Sequence, residues 1–114
     1  MEEMARSGFL GEFELMLLLA VMRLGEKAYG VPISTEIENH TGRDVALSSV
    51  YAALERLSEK GLVTSFQGEP TLERGGRAKR YFQMTPEGIR ALKTTRAALT
   101  NLWSSIPLLE EGRL

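Results

Sequence analysis

Cysteine is absent from the sequence, and histidine occurs only once, as His40. Without cysteine, disulfides and thiolate zinc sites are excluded, and a single histidine cannot build a histidine-rich metal site. The glycine-containing stretches GEKAYG and GGRAK do not match the phosphate-binding pattern G-x-x-x-x-G-K-[ST], and no nucleophile motif accompanies the histidine. The sequence therefore predicts no cofactor, no metal site and no catalytic residue, and we do not expect an enzyme.

Long hydrophobic runs are also missing. The longest, Leu15 to Met22, has eight residues, against the ~20 that a membrane-spanning helix needs. The first residues, MEEMARSG, are acidic and do not form a positively charged leader ahead of a hydrophobic run. We therefore expect a cytoplasmic protein with no membrane partner. With 114 residues, 43% of them hydrophobic, one globular domain is expected.

The charges are distributed unevenly, although the net charge is only -1. Residues 1–73 carry 6 Lys+Arg and 12 Asp+Glu, whereas residues 74–96 carry 7 Lys+Arg and a single glutamate. Four of these cations and two adjacent glycines lie in the ten-residue stretch ERGGRAKRYF. An anionic partner responds to local charge, so the near-neutral total does not exclude nucleic acid.

Three helices are predicted in the first half of the chain. Residues 9–24 are apolar nearly all round, as in a buried helix, and Gly25 ends the segment. A second helix begins near YGVPIS, with Pro32 in its first turn, and Gly42 is its left-handed C-cap. The third lies in ALSSVYAALERLSEKGLV and has one apolar face formed by Leu47, Val50, Tyr51, Leu54 and Leu57.

The third helix also has a face of small residues. Ser48, Ser49 and Ala52 lie on it, with Arg56 further along. Small side chains allow a helix to lie close against another surface. Either Ser48 or Ser49 is predicted to cap the start of the helix, and Gly61 its end.

The second half predicts a hairpin followed by a long helix. LVTSFQG and AKRYFQMT have the composition of short strands, and they are separated by a long tip. Thr85, Pro86 and Glu87 form a helix-start signal, and the helix is expected to run to about Ser105. The apolar positions of this helix have a/d spacing; they are Ile89, Leu92, Leu99, Trp103 and Ile106. Arg96 interrupts the spacing, and it either pairs with an acid of a partner subunit or points outward.

This order predicts a mostly helical α+β fold, a winged helix-turn-helix with a long C-terminal dimerisation helix. We assign residues 1–84 to a DNA-binding domain and residues 85–114 to a dimerisation helix packed on the same domain. The candidate DNA contacts are Ser48, Ser49, Tyr51, Ala52, Arg56, Arg74, Arg77, Lys79 and Arg80. Two alternatives stay open: the basic hairpin tip is an ordinary solvated loop, and the Tyr51 ring packs in the core.

The single tryptophan, Trp103, allows three interpretations. It packs against the first helix of its own chain, it lies in a dimer seam, or it contacts a small aromatic or apolar effector, because tryptophan is enriched where subunits and ligands are recognised. The predicted seam comprises Leu92, Leu99, Leu102, Trp103 and Ile106.

In its motifs the chain resembles the PadR family of bacterial transcriptional regulators. The resemblance rests on GEFELMLLLAVMRLG, AYGVPI, SSVYAALERLSEKGLV, GGRAKRYFQMTPEG and the final helix, in this order. It implies a homodimer that binds a pseudo-palindromic operator in double-stranded DNA, usually as a repressor, with the first and last helices at the dimer interface. In some members, aromatic or multidrug-like ligands bind between the subunits, and Trp103 is the matching candidate. The start of the third helix, ALSSVY, departs from the Ser and Gly common in the family.

Two other functions remain open at this point. One is a winged-helix protein-interaction module that does not contact DNA, and the other is a small-molecule sensor without DNA binding. A DNA-binding regulator differs from both in the salt dependence of its binding, because an affinity that comes from phosphate contacts falls steeply as the salt concentration rises.

Overall fold

The structure, a computed structural model, describes residues 9–68 and 79–110. In this part of the chain the elements are α1 Glu12–Leu24, α2 Gly30–Thr41, α3 Leu47–Glu59, β1 Val63–Gln67, β2 Arg80–Met84 and α4 Pro86–Trp103. A 3₁₀ turn, Gly25–Lys27, follows α1. Helices followed by a two-stranded hairpin and a long helix confirm the predicted mostly helical α+β, winged helix-turn-helix fold. None of the helices described is long and apolar enough to cross a membrane.

Two glycines end α2 and α3 as predicted. Gly42 and Gly61 have φ angles of 77° and 79°, the left-handed region that favours glycine. The Gly42 N–H donates to the carbonyl of Glu38 at 2.8 Å, and beyond Gly61 the Leu62 N–H donates to the carbonyl of Leu57 at 2.9 Å. The chain therefore reverses tightly after each helix.

The predicted start of α3 is wrong. The helix begins at Leu47, and its N-cap is Ala46, so neither Ser48 nor Ser49 caps it. Val45 is buried just before the cap, and its carbonyl accepts a hydrogen bond from the Ser34 hydroxyl at 3.1 Å. Because this anchor fixes the turn between α2 and α3, the helix starts early and both serines lie in its first turn.

The core lies between α1, α2, α3 and the hairpin. Its largest fully buried side chains are Leu17, Leu18, Ile33, Val50, Leu54, Leu57, Val63 and Phe82. Leu47, predicted to belong to the apolar face of α3, is 40% exposed because the packing of α3 begins one turn later, at Val50. The prediction that α1 is buried nearly all round is also wrong, since Leu19 and Met22 are about half exposed.

The hairpin is antiparallel, and its far edge is covered by an earlier segment. Val63 pairs with Met84 and Gln67 with Arg80. On the other edge of β2, Tyr29 forms a bridge to Tyr81, and the Phe82 N–H donates to the carbonyl of Ala28 at 2.8 Å. This contact partly satisfies an edge that would otherwise be open to pairing with another chain.

One polar junction connects α4 to the turn after α3. The Thr85 hydroxyl accepts from the Gly88 N–H at 3.0 Å and donates to the carbonyl of Gly61 at 2.7 Å. The Thr85 N–H donates to the carbonyl of Leu62 at 3.2 Å. Thr85 is therefore the predicted N-cap, with Pro86 as the first helical residue, and it also sets the position of α4. The helix ends at Trp103, slightly before the expected Ser105.

The close approach of α4 to the start of β1 predicts a strong effect of Gly88→Ala. A Cβ at position 88 would overlap the carbonyl oxygen of Leu62, so α4 must shift. We expect the free energy of unfolding to fall by about 1–3 kcal/mol, measured by urea titration.

Gly11→Ala is the matched control, because a Cβ at position 11 would have its nearest neighbour, a Glu14 side-chain oxygen, at 3.8 Å. The control should change stability by less than about 1 kcal/mol. Helix propensity alone predicts that Gly88→Ala gains stability. That result would contradict the close approach of α4 to Leu62.

Candidate nucleic-acid interface

Four predicted contact residues form one exposed surface on α3. Ser48, Ser49, Ala52 and Arg56, which we call the α3 face, are all exposed, whereas Val50, Ala53, Leu54 and Leu57 on the other side of the helix are buried. The helix is held in the core by one side while the other presents small side chains. In its first two turns this face presents only serine hydroxyl and alanine methyl groups, those of Ser48, Ser49 and Ala52.

A polar depression of about 350 Å³ lies beside the α3 face. Arg43, Asp44, Val45 and Ala46 of the α2–α3 turn border it, together with Phe13, Ser49, Ala52 and Arg56. Arg43 was not among the predicted contact residues. Its position directly after the helix-ending Gly42 was the available signal, because the residue after such a stop is well placed to project from the turn.

Tyr51 packs against the core and does not belong to the α3 face. Its side chain is half-buried against the core, and a Cβ at Gly30 would collide with its hydroxyl end. The glycine at the first position of α2 therefore makes room for the ring. This is the core-packing alternative, and contact of the hydroxyl with DNA stays a prediction.

The basic hairpin is only partly described. Arg74 and Arg77 lie outside the described residues. Arg80 lies on the core-facing side of β2, where its Nη1 contacts Oε2 of Glu55 at 2.7 Å and its Nε donates to the Ser65 hydroxyl at 3.1 Å. Its guanidinium also stacks 5.0 Å from the centre of the Phe82 ring. Arg80 is thus held within the hairpin by Ser65 and Phe82, and its contact with Glu55 joins the hairpin to α3.

Lys79 lies on the opposite side of the hairpin from Arg80, because successive strand residues alternate faces. Its ammonium is 4.5 Å from the centre of the Tyr29 ring. Tyr29 meets Tyr81 edge-on at 5.3 Å, and Tyr81 stacks on Phe66 at 5.6 Å. The two described cations of the hairpin are therefore held separately, each over an aromatic ring.

Carboxylates accompany most of the cations around α3. Arg43 Nη1 lies 3.1 Å from Glu12 Oε1, and Lys60 Nζ lies 2.7 Å from Glu14 Oε2, in addition to the pair between Arg80 and Glu55. The side chain of Arg56 makes no hydrogen bond or ion pair with another described residue. Because unpaired cations attract phosphate most directly, Arg56 is the strongest described candidate for such a contact.

Glu14 is the most enclosed of these acids. Its burial acts to raise the pKa of the carboxyl, but the hydrogen bond from Lys60 and the 3.1 Å bond from the Gly11 N–H stabilise the charged form. The positive fields of Lys60 and Arg56 act in the same direction, and the pKa of Glu14 ends below its ordinary value. The pair fixes the start of α1 against the end of α3.

A second, apolar surface lies between α1 and α4. This α1–α4 groove has a volume of about 880 Å³ and is lined mainly by Leu15, Leu19, Met22, Ile89, Leu92, Leu99 and Trp103. Trp103 remains 57% exposed, so α1 of its own chain does not bury the ring. Arg96 is exposed at the rim, and its side chain forms no ion pair or hydrogen bond with a described residue.

The predicted seam residues differ in how much surface they leave free. Leu92 is 8% exposed and belongs largely to the core of its own chain, whereas Leu99 is 44% exposed and borders the groove. Leu102 and Ile106 are 75% and 40% exposed and do not line the groove. The apolar surface therefore continues beyond the groove along the end of α4. No group of His, Asp or Glu side chains in residues 9–68 and 79–110 is arranged to hold a metal ion.

Comparison with known families gives one clear match. The family described as the transcriptional regulator PadR-like family matches residues 18–94, which include α2, α3, the hairpin and half of α4. No curated protein sequence is significantly similar to the chain.

Solved structures with the same fold are similar over most of their length. A PadR-like transcriptional regulator from Bacillus cereus has 22% identity and a TM-score of 0.70, covering 97% of this chain and 99% of that one. A transcriptional regulator from Clostridium thermocellum has 25% identity and a TM-score of 0.68, with 86% and 89% covered. A PadR family regulator from Eggerthella lenta has 25% identity and a TM-score of 0.66, with 89% and 88% covered.

The depressed pKa of Glu14 predicts a pH-dependent contribution to stability. A carboxyl whose pKa is lower in the folded than in the unfolded state stabilises the fold. Its contribution is complete above the pKa of the unfolded state and is lost as the pH falls through the pKa of the folded state. Glu14→Gln should therefore be less stable than wild type near neutral pH. The difference should shrink as the pH drops below 4.5, the ordinary carboxyl value.

Urea titrations of both proteins at a series of pH values measure this difference. Glu59→Gln is the control, since Glu59 is an exposed acid at the end of α3 and makes no ion pair with another described residue. A difference between wild type and Glu14→Gln that stays constant down to pH 2–3 would contradict the assignment.

Proposed function

Because the chain belongs to the PadR-like family of transcriptional regulators, we propose that it is a sequence-specific DNA-binding repressor that acts in the cytoplasm as a homodimer on a pseudo-palindromic operator. The observation that carries the proposal is the α3 face, a helix surface of small side chains ending in Arg56, whose side chain is unpaired among the residues described. Such a surface is what a helix needs to enter the major groove of double-stranded DNA.

The α3 face supports a division of labour along the helix. Ser48 and Ser49 lie in the first turn, the part of a recognition helix that meets base edges. A serine hydroxyl both donates and accepts, so it can pair with several bases. Ala52 keeps the backbone close to the DNA, and Arg56 reaches a phosphate, which positions the helix without reading sequence. Tyr51 is left with a minor role, a hydroxyl contact to a phosphate.

The hairpin supplies the second set of contacts in this proposal. The four cations Arg74, Arg77, Lys79 and Arg80 lie within seven residues of the sequence, and in this proposal they neutralise phosphates next to the major groove. Phosphate neutralisation releases counterions, so the affinity falls steeply with salt. Residues 1–84 form the DNA-binding domain.

The α1–α4 groove supports the homodimer. Half-exposed apolar side chains on both helices leave a continuous apolar surface, which is unusual for a monomer and typical of subunit contacts. In a twofold dimer the same patch is used by both subunits, and residues 85–114 provide most of it. The proposed seam contains Leu92, Leu99, Leu102, Trp103 and Ile106.

The same groove supports an effector. Its volume of about 880 Å³ lies within the range of ~300–1,000 Å³ found for small-molecule sites. Trp103 offers a large exposed ring at one end. An aromatic or apolar ligand stacked on this ring changes the packing between the subunits and thereby the spacing of the two α3 helices, which relieves repression.

The small size of residue 52 gives a direct test of the α3 face. Ala52→Leu adds a branched side chain to an exposed position, so folding should be unaffected while the helix is held away from the DNA. We expect at least a tenfold loss of affinity for the chain's own upstream DNA, about 1.4 kcal/mol, measured by fluorescence anisotropy.

Ala97→Leu makes the same substitution at an exposed position of α4 that does not line the groove, and it should bind DNA like wild type. If Ala52→Leu bound as tightly as Ala97→Leu, the α3 face would not be the DNA-binding surface.

The exposed ring of Trp103 gives a test of the dimer seam. Trp103→Ala removes the largest apolar side chain of the groove, so the dimer should dissociate at higher concentration and operator binding should weaken with it, since both half-sites must be engaged together. Sedimentation equilibrium measures the dissociation. Val31→Ala, which shortens a half-exposed side chain on α2, should leave the dimer intact. A Trp103→Ala protein with the dimer constant of wild type would remove this residue from the seam.

A second candidate function follows from the apolar groove alone. The groove could bind a partner protein or a small molecule in a winged-helix protein that never contacts DNA. A titration of random-sequence and upstream duplexes at 50 and 200 mM salt separates the two functions. Salt-sensitive binding, tighter on the upstream duplex, supports the repressor; no binding to either duplex at low salt supports the second function.

A further inference from the structure

Two arginines on opposite sides of the α3 face are occupied by carboxylates of the same chain. Arg43, in the turn before α3, contacts Glu12 of α1 at 3.1 Å, and Arg80 of β2 contacts Glu55 of α3 at 2.7 Å. Both acids face solvent, since the Glu12 side chain is 76% exposed and that of Glu55 is 51% exposed. They therefore compete for these arginines with any phosphate that approaches the α3 face in the complex proposed above.

A guanidinium binds carboxylate and phosphate in the same way. Both anions present paired oxygens to the planar fork of N–H donors, and arginine recognises both bidentately. DNA can therefore use Arg43 or Arg80 only by displacing the acid already bound. The acids also repel phosphate at close range, well within the screening length of about 10 Å at 0.1 M salt.

Neither arginine needs its acid in order to stay in place. The guanidinium of Arg43 lies 5.2 Å from the centre of the Phe13 ring. Arg80 keeps its hydrogen bond to Ser65 and its contact with the Phe82 ring. When a carboxylate leaves, each guanidinium is still held beside α3, so exchange of the acid for a phosphate requires no rearrangement of the backbone.

The pair between Glu14 and Lys60 is different and helps to define the proposal. The Glu14 side chain is only 16% exposed, and it also accepts from the Gly11 N–H. An acid so enclosed fixes α1 against α3, and its removal would disturb the fold. The exposed pairs lack this role because exposed ion pairs contribute little to stability.

We propose that Glu12 and Glu55 are internal substitutes for phosphate that hold Arg43 and Arg80 until DNA displaces them. The proposal rests on the DNA-binding function proposed above. The two acids lower the affinity for all DNA, so that phosphate contacts alone do not retain the dimer on a non-specific sequence. Stable binding then requires the additional base contacts of the operator. Arg43 becomes a phosphate-binding residue on the side of α3 opposite the hairpin.

The test uses Glu12→Gln, Glu55→Gln and the double variant of the full-length chain. Each is titrated into a fluorescein-labelled random-sequence 20-base-pair duplex at several salt concentrations. Each single substitution should tighten binding by about 4- to 25-fold for the dimer, since an exposed pair is typically worth a factor of about 2–5 in each of two subunits. The slope of log affinity against log salt should also steepen, by about 0.9 for each additional phosphate neutralised.

Glu36→Gln is the matched control. Glu36 pairs with Arg23 at 2.8 Å and with His40 at 3.0 Å, and neither Glu36 nor Arg23 borders the depression beside the α3 face. The control removes the same charge and a guanidinium pair that lies away from the α3 face, so it should change the affinity by less than about twofold. Thermal melting of every variant verifies that the fold is retained.

The outcomes separate this inference from the function on which it rests. Wild type that shows no salt-sensitive binding to any duplex would overturn both. Wild type that binds, together with glutamine variants that bind no more tightly than Glu36→Gln, would overturn the inference alone. Weaker binding by Glu55→Gln would also overturn it for that acid, since the carboxylate would then be positioning Arg80 for DNA rather than competing for it.

Discussion

The hydrogen bonds of Thr85 determine how the two exposed surfaces of this protein are arranged. One hydroxyl caps α4 and donates to the turn after α3, while the backbone N–H of the same residue bonds to the start of β1. The beginning of α4 is thereby fixed to the end of α3, with Gly88 allowing the close approach. Since α3 carries the candidate DNA surface and α4 the apolar one, this junction fixes their relative orientation.

The two surfaces differ in chemistry in a way that suits separate partners. The α3 face is polar and made of small side chains, with ion pairs on both sides of it. The α1–α4 groove is apolar, and its tryptophan is more than half exposed. A regulator of the PadR-like family needs both kinds of surface if one binds DNA and the other a second subunit or an effector, because a change in the second can then alter the spacing of the first.

Local sequence signals predicted most of the fold. Gly42 and Gly61 ended their helices because left-handed backbone favours glycine, and Thr85 with Pro86 marked the start of α4. The start of α3 was misassigned because a buried residue outside the helix, Val45, decides where the turn ends. A serine near a helix start is a cap only if tertiary packing leaves it at that position. The same limit applies to Leu47. Its spacing along α3 is that of a core residue, but the packing of the helix against the core begins only at Val50, so Leu47 stays exposed.

The sequence by itself determined the order of the elements, the faces of α3 and the concentration of cations at residues 74–96, because these depend on spacing along the chain. Only the tertiary structure decided which cations are free. Glu12 and Arg43 are 31 residues apart, and Glu55 and Arg80 are 25 apart. No local pattern links residues so distant. An ion pair depends on a separation of a few ångströms, which exists only once α1, α3 and the hairpin have packed together.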